Sequence, residues 1–250
     1  MDVYDNPKYY DIAFSFRDIA KEVDFLEQII KNESLIPVKT VLEIASGNSP
    51  HMSELCRRGY DYVGLEQNEE MIEYSTKTIE DLGLKAEIIR GDLRNFRTNK
   101  QADCALLFLG SFYVTDDHEL QSHMDSVAHS VRGGGLYFLD GAVLFFPEDF
   151  GIQTWEMERD GVKVITTYDP KWIDERNGLS DARIILEIEE NGEKKVIEHT
   201  ETRKLYRIND FIAKAEATSK WEHVSDFSDF DAAKKPYPGG RNITVLRRRI

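Results

Sequence analysis

Between Val38 and Leu144, short apolar and β-branched runs alternate with amphipathic stretches of helical period. That alternation dictates consecutive βαβ units around a parallel sheet, because each strand must be followed by a helix before the next can lie beside it. The runs TVLEIA (40–45), DYVGLE (61–66), AEIIRGD (86–92), DCALLFLG (103–110) and GLYFLDGAVL (135–144) read as the strands. Among the helices, PHMSELCRRGY opens with Pro50 in its first turn and stops at Gly59, and NEEMIEYSTKTIEDLG is capped by Asn68 and closed by Gly83. DDHELQSHMDSVAHSVRGGG reads as a helix stopped by three glycines. Upstream, residues 18–31 place Ile19, Val23, Leu26 and Ile30 on one helical face, and Pro37 separates that helix from the sheet.

After Leu144 the pattern changes. From Thr154 to Tyr206, strand-like runs are punctuated by Asp160-Gly161, Asn177-Gly178 and Asn191-Gly192, dipeptides that supply the positive φ angles of tight hairpins, so an antiparallel sheet is expected. A helix at 208–218, a strand near WEHVSDF and a final strand NITVLRR follow. The last two, joined by KKPYPGG, return to the first sheet as an antiparallel hairpin. The expected division is a Rossmann-like unit at 1–144 and 207–250, with an inserted antiparallel subdomain at 145–206.

A chain of 250 residues buries a full core as one domain with an insertion. Lys and Arg number 32 against 46 Asp and Glu, and the resulting charge of -14 repels nucleic acid. The one basic run, Arg247–Arg249, reads as a solvated strand end. Cys56 and Cys104 lack metal-ligand spacing and read as reduced core residues. The start MDVYDNPKYYD is acidic and polar where a signal peptide has a basic start and an apolar core, so none is expected, and no apolar run approaches the roughly 20 residues of a membrane span. A cytoplasmic protein with neither membrane nor nucleic-acid partner is expected, as monomer or homodimer.

The first strand runs into Ala45-Ser46-Gly47-Asn48-Ser49-Pro50. A dinucleotide loop needs GxGxxG, so the single glycine, and Pro50 where the helix would offer amides to phosphate, argue against a nicotinamide oxidoreductase. Glu66 ends the next strand, about 20 residues on, where a carboxylate meets ribose hydroxyls. Gly91-Asp92 ends the third. Strand ends on one sheet edge converge, so Glu43, Glu66 and Asp92 are expected to face one crevice and to favour a ligand with a positive centre and amine donors.

The segments VLEIASGNSPH, GLEQNEEMIEYS, GDLRNF, FLGSFYV and VRGGGLYFLD resemble, in order, the motifs of class I S-adenosylmethionine-dependent methyltransferases over residues 40–140. With YYDIAFSFR ahead of the sheet, FFPEDF after the fifth strand and EHTETRKLYRINDFIAKA in the insertion, the layout is similar to a small-molecule subgroup that includes aminosugar N,N-dimethyltransferases and glycine N-methyltransferase-like enzymes. The resemblance implies an α/β fold: a Rossmann-like seven-stranded methyltransferase sheet with an inserted antiparallel β-sheet lid. It implies S-adenosylmethionine as cofactor and S-adenosylhomocysteine as product. It makes Glu43 the acid of the glycine-loop motif, Ala45, Ser46, Gly47 and Asn48 the turn under the methionine moiety, and Glu66 the ribose ligand. Gln67 and Met71 would flank the adenine, whose edge Gly91, Asp92 and the Leu93 amide would read. Arg17 would meet the cofactor carboxylate, and Leu109 to Tyr113 would line the methyl-transfer face. Ala45 and Ser49 depart from the family's glycines.

A sulfonium methyl is already activated, so the protein must chiefly align the acceptor. The expected reaction is N-methylation of a small amine. O-methylation of a hydroxy or carboxy compound, for which a general base is more useful, and cofactor binding without turnover are the alternatives. Tyr113, His118 and His199 are the candidate catalytic groups, and His123 and His129 read as helix surface. Tyr9, Tyr10, Phe14, Phe16, Phe112, Phe145, Phe146, Trp155 and Trp172 gather at the edges of the expected site, where some could shape an acceptor pocket.

Overall fold

The computed structural model describes residues 2–250. Helices α1 (Pro7–Ala13) and α2 (Ile19–Glu33) lead into β1 (Thr40–Ile44), α3 (Met52–Arg57), β2 (Asp61–Glu66), α4 (Glu69–Leu82), β3 (Ala86–Arg90), β4 (Ala102–Leu107), α5 (Asp117–Ser130) and β5 (Val131–Asp140). Four strands then run consecutively, β6 (Gln153–Arg159), β7 (Val162–Asp174), β8 (Leu179–Glu190) and β9 (Glu193–Lys204), before α6 (Ile208–Ala217), β10 (Trp221–Ser228) and β11 (Asn242–Arg248).

Seven strands form one sheet in the order β3-β2-β1-β4-β5-β11-β10. The first five are parallel, and β11 and β10 close the edge antiparallel, the hairpin the sequence implied. Central β4 is buried at every position, which is why ADCALL reads as an apolar run rather than an alternation. Separate apolar clusters cover the two faces: Leu42, Ala105, Tyr137, Phe211 and Trp221 on one, and Phe25, Leu26, Val41, Leu55 and Phe138 on the other. The strand order reverses between β1 and β4, so a crevice opens there at the carboxyl edge.

Helix α4 begins and ends as expected, with the Asn68 side chain accepting from the Met71 amide and Gly83 left-handed at φ 60°. The triple glycine behaves differently. Helix α5 stops at Ser130 and Gly133–Gly135 lie inside β5, where a Cβ on Gly135 would meet the Asp103 carbonyl at 2.2 Å. The glycines let β5 approach β4 at a register shift, a bulge and not a helix stop. Arg247–Arg249 are also not simply solvated. Arg247 pairs with Glu33 and Glu222, while Arg248 and Arg249 donate to backbone carbonyls.

The second sheet, in the order β6-β7-β8-β9, is antiparallel throughout. Asp160-Gly161 and Asn191-Gly192 form the two-residue turns expected, with both φ angles positive. At Asn177-Gly178 only the glycine is left-handed, in a longer loop where a Cβ on Gly178 would lie 2.7 Å from the Leu205 carbonyl. Buried Ala182, Ile184, Leu186 and Ile188 alternate along β8. Ile184, Leu186 and Ile188 share one cluster with Val3, Tyr10, Ile12 and Ala13, so the amino-terminal segment is packed against the second sheet and carried over the crevice of the first. No helix among the described residues is long and apolar enough to cross a membrane.

Candidate functional site

Immediately after β1 the chain makes three left-handed residues within five positions: Ala45 at φ 51°, Gly47 at 53° and Ser49 at 52°. The two residues that replace glycine thus adopt the backbone glycine would adopt, at a cost of about 1–2 kcal/mol each. Hydrogen bonds hold the turn in place: Ser46 donates to the Leu65 carbonyl, Ser49 to the Ser46 carbonyl, and Gly47 to the Glu66 carboxylate at 2.7 Å. Tyr10 lies over it, 3.9 Å from where a Gly47 Cβ would stand. Asn48 donates to Asp11, and Asn68 to Asp5, so the amino-terminal segment is fastened across the crevice.

The three strand-end carboxylates do not share one orientation. Glu66 is at the crevice, where it also accepts from the Gln67 and Asn68 amides. Asp92, at the end of β3, is partly exposed and gripped by Arg94, whose guanidinium lowers its pKa. Arg94 therefore neutralises one of the charges that the sequence left bare. Glu43 faces the interior, accepting from the Tyr62 hydroxyl at 2.6 Å and meeting His51 Nδ1 at 2.6 Å. It supports the turn from below, because its neighbours on β2 and α3 offer donors there and the crevice side of β1 is occupied by the turn itself. Of the other residues expected here, Gly91 packs closely on Leu65, Gln67 is exposed, and Met71 and Leu93 are buried in different apolar clusters.

Under the turn runs a buried ionic network that sequence spacing did not reveal. Glu22 of α2 binds Arg17, His51 Nε2 at 2.9 Å and Arg241 at 2.6 Å, and Arg241 reaches on to Asp140 at 2.6 Å. Asp140 in turn accepts from the Leu109 amide. Burial opposes a charge on His51, but Glu43 and Glu22, one at each ring nitrogen, outweigh it and raise the pKa. Arg17 is thus committed to Glu22, yet it also lines a small cavity of about 200 Å³ with Asp11, Asn48, Pro50 and Leu109. The parts come from sequence positions 17 to 241, with no local motif.

A larger cavity of about 540 Å³ opens between the two sheets and shares Phe14 and Leu109 with the smaller one. Tyr10, Phe14, Phe16, Phe145 and Trp155 line it, as expected of some, together with Tyr4, Tyr168, Phe150 and Arg203, which the sequence did not single out. Tyr9 instead bonds Glu190, Phe112 is core, Phe146 lies outside the lining, and Trp172 stacks on Phe150 at 3.9 Å. Leu109 (φ 56°), Gly110 (66°) and Gly141 (65°) make the left-handed backbone where the cavities meet. Tyr113 lines the larger cavity, its hydroxyl 3.4 Å from that of Tyr4, and desolvation raises its pKa. His118 is exposed in the first turn of α5 and outside the lining. His199 pairs with Asp2 at 2.7 Å and Glu201 at 3.2 Å. His129 binds a carbonyl of its own helix, while His123 proves fully buried between the Leu93 carbonyl and the Tyr137 hydroxyl, because α5 turns that face onto the sheet.

A family model described as a methyltransferase domain matches residues 41–135. A dTDP-3-amino-3,4,6-trideoxy-alpha-D-glucopyranose N,N-dimethyltransferase of Streptomyces venezuelae is 24% identical over 163 residues, an alignment spanning 63% of this chain and 66% of that enzyme. Among solved structures, an S-adenosylmethionine-dependent methyltransferase of Clostridium acetobutylicum superposes with a TM-score of 0.78 at 16% identity, covering 97% of this chain and 96% of the other. DesVI of Streptomyces venezuelae gives 0.78 at 19% identity, covering 96% and 98%. Residues 41–135 therefore match a methyltransferase domain, and the whole chain shares the fold of these solved S-adenosylmethionine-dependent and related methyltransferases.

Proposed function

We infer that the protein transfers a methyl group from S-adenosylmethionine to an amine of a small molecule held in the larger cavity. The cofactor fits the residues present. Glu66 and Asp92 offer carboxylate oxygens to hydroxyl and amine donors, the Ala45–Asn48 turn gives close approach without phosphate-binding amides, and Arg17 with Asn48 borders the small cavity on the methionine side. When bound, the cofactor supplies a methyl group already activated on sulfur. The left-handed Leu109-Gly110 turn, fixed by Asp140, separates the cofactor side from the acceptor side and aligns one with the other. The amino-terminal segment and the second sheet act as a lid that excludes water.

The observation that carries the choice of an amine is that, among the described residues, the titratable groups near the junction are already engaged, Asp149 of the cavity wall by the Phe146 and Gly239 amides. Tyr113 has a raised pKa, His199 lies between two carboxylates that raise its own, His118 is outside, and Asp140 is committed to Arg241 and the Leu109 amide. An amine that loses its ammonium proton to solvent before it binds attacks without a protein base, whereas a hydroxyl gains from one. The amine methylation printed in the name of the Streptomyces relative supports the same reading. The test is calorimetric titration with S-adenosylmethionine, followed by turnover of methyl-labelled cofactor over amines and matched hydroxy compounds. Labelling of hydroxy compounds alone would replace N- with O-methylation, and binding without turnover on any acceptor would leave a cofactor-binding protein. Asp92→Ala should weaken cofactor binding by about 1–3 kcal/mol, and an unchanged dissociation constant would remove Asp92 from the adenine site.

A further inference from the structure

Arg203 stands in β9 with 6% of its surface exposed and forms part of the wall of the larger cavity. Its Nη1 donates to the Gly110 carbonyl at 2.8 Å and its Nη2 to the Tyr168 hydroxyl, while Nε is buried with no partner. Both acceptors are neutral. Among the described residues Arg203 makes no ion pair, and Glu201, on the same strand face, is taken by His199. A buried guanidinium is ordinarily matched by a carboxylate, because desolvation penalises an unmatched charge heavily. Arg17, Arg241 and His51, a short distance away, obey that rule.

We propose that Arg203 is the receptor for an anionic group on the methyl acceptor, and that the acceptor is a compact amino carboxylate. This rests on the methyl-transfer reading above. Position sets the size: Nη1 would lie 3.4 Å from a Cβ on Gly110, the residue next to Leu109, where the two cavities meet. An anion bound there sits beside the transfer end of the cavity. An amino carboxylate has its amine a few bonds from its anion, whereas a nucleotide-linked aminosugar holds its diphosphate across the sugar ring. Both Nη atoms donate only to neutral acceptors, so the guanidinium charge in the cavity wall is left for the carboxylate of a ligand to neutralise.

The test is calorimetric titration of the cofactor-free protein with glycine, β-alanine and 4-aminobutyrate, with their amides, and with a nucleoside-diphosphate aminosugar. At least one amino carboxylate should bind about tenfold or more tightly than its amide. Arg203→Gln should abolish that preference, and Arg203→Lys should keep part of it, since the charge stays and the fork is lost. Equal binding of acid and amide by the unmodified protein overturns the proposal, as does tighter binding of the aminosugar than of every amino carboxylate, or no binding of any of them. S-adenosylmethionine titrated in parallel separates the two readings. Failure of the cofactor to bind overturns methyl transfer while an acid–amide preference keeps the anion receptor, and cofactor binding without that preference overturns the receptor alone.

Discussion

Beneath the Ala45–Ser49 turn each buried charge has an opposite partner, whereas Arg203, in the wall of the cavity above it, has only neutral ones. The lower region is complete as folded: Glu22, Glu43 and Asp140 are matched by Arg17, His51 and Arg241, and the strained turn is pinned by amide bonds to Glu66 and neighbouring carbonyls. The upper region is aromatic, roomy and short of one negative charge. Matched charges stabilise a fixed geometry, while an unmatched one selects a ligand that carries its complement. On the proposed reading, the contrast assigns rigidity to the cofactor side and choice of acceptor to the side of the second sheet.

The sharpest way to break the lower region is Glu22→Gln, which strips the shared carboxylate from Arg17, His51 and Arg241. Removing one partner from a buried ionic cluster costs about 3–5 kcal/mol, read as a lower midpoint in urea unfolding. A loss under about 1 kcal/mol would mean that the cluster is solvated in solution and not matched as described.

Two buried histidines give the comparison opposite pH signs. His123, desolvated, has its pKa lowered to about 4. It folds neutral, so as pH falls from about 6.5 to about 4 the unfolded chain takes up a proton that the folded one refuses, and stability drops by roughly 3 kcal/mol. His51 has a raised pKa, so its contribution is full below about 6.5 and is lost as pH rises through the folded value. Imidazole resonances followed by NMR should show His51 titrating above and His123 below an unfolded-peptide histidine. The same order for both would contradict the network.

The smallest expected effect refines the account of the turn. Ala45→Gly removes the left-handed penalty and adds unfolded-state entropy, so stability should rise by up to about 1 kcal/mol, measured by thermal unfolding. Destabilisation would show that the Ala45 methyl packs favourably enough to outweigh its backbone strain.

Much of the architecture was legible in the chain itself. The alternation over 38–144 specified the parallel sheet, the Asp-Gly and Asn-Gly pairs located two of the second sheet's tight turns, and Asn68 with Gly83 bounded α4, because these signals act within a few residues through backbone conformation and burial period. The triple glycine misled, since a glycine run serves equally as a helix stop or as a bulge and only the Asp103 carbonyl opposite decides between them. The expected set at the turn and strand ends, from Ala45 through Glu66 to Asp92, does gather at one sheet edge, while Glu43 and His123 face inward.

The sequence by itself determined which segments are strands and helices, and that a small-residue turn followed by strand-end carboxylates forms one edge of the sheet. Tertiary structure alone decided which charges meet. Glu22 and Arg241 are separated by more than two hundred positions, and His51 is matched by two carboxylates, whereas Arg203 is matched by none. The physical reason is range: backbone preference is local, but desolvation and ion pairing depend on what the folded chain brings within a few ångströms, and spacing along the chain carries no record of that.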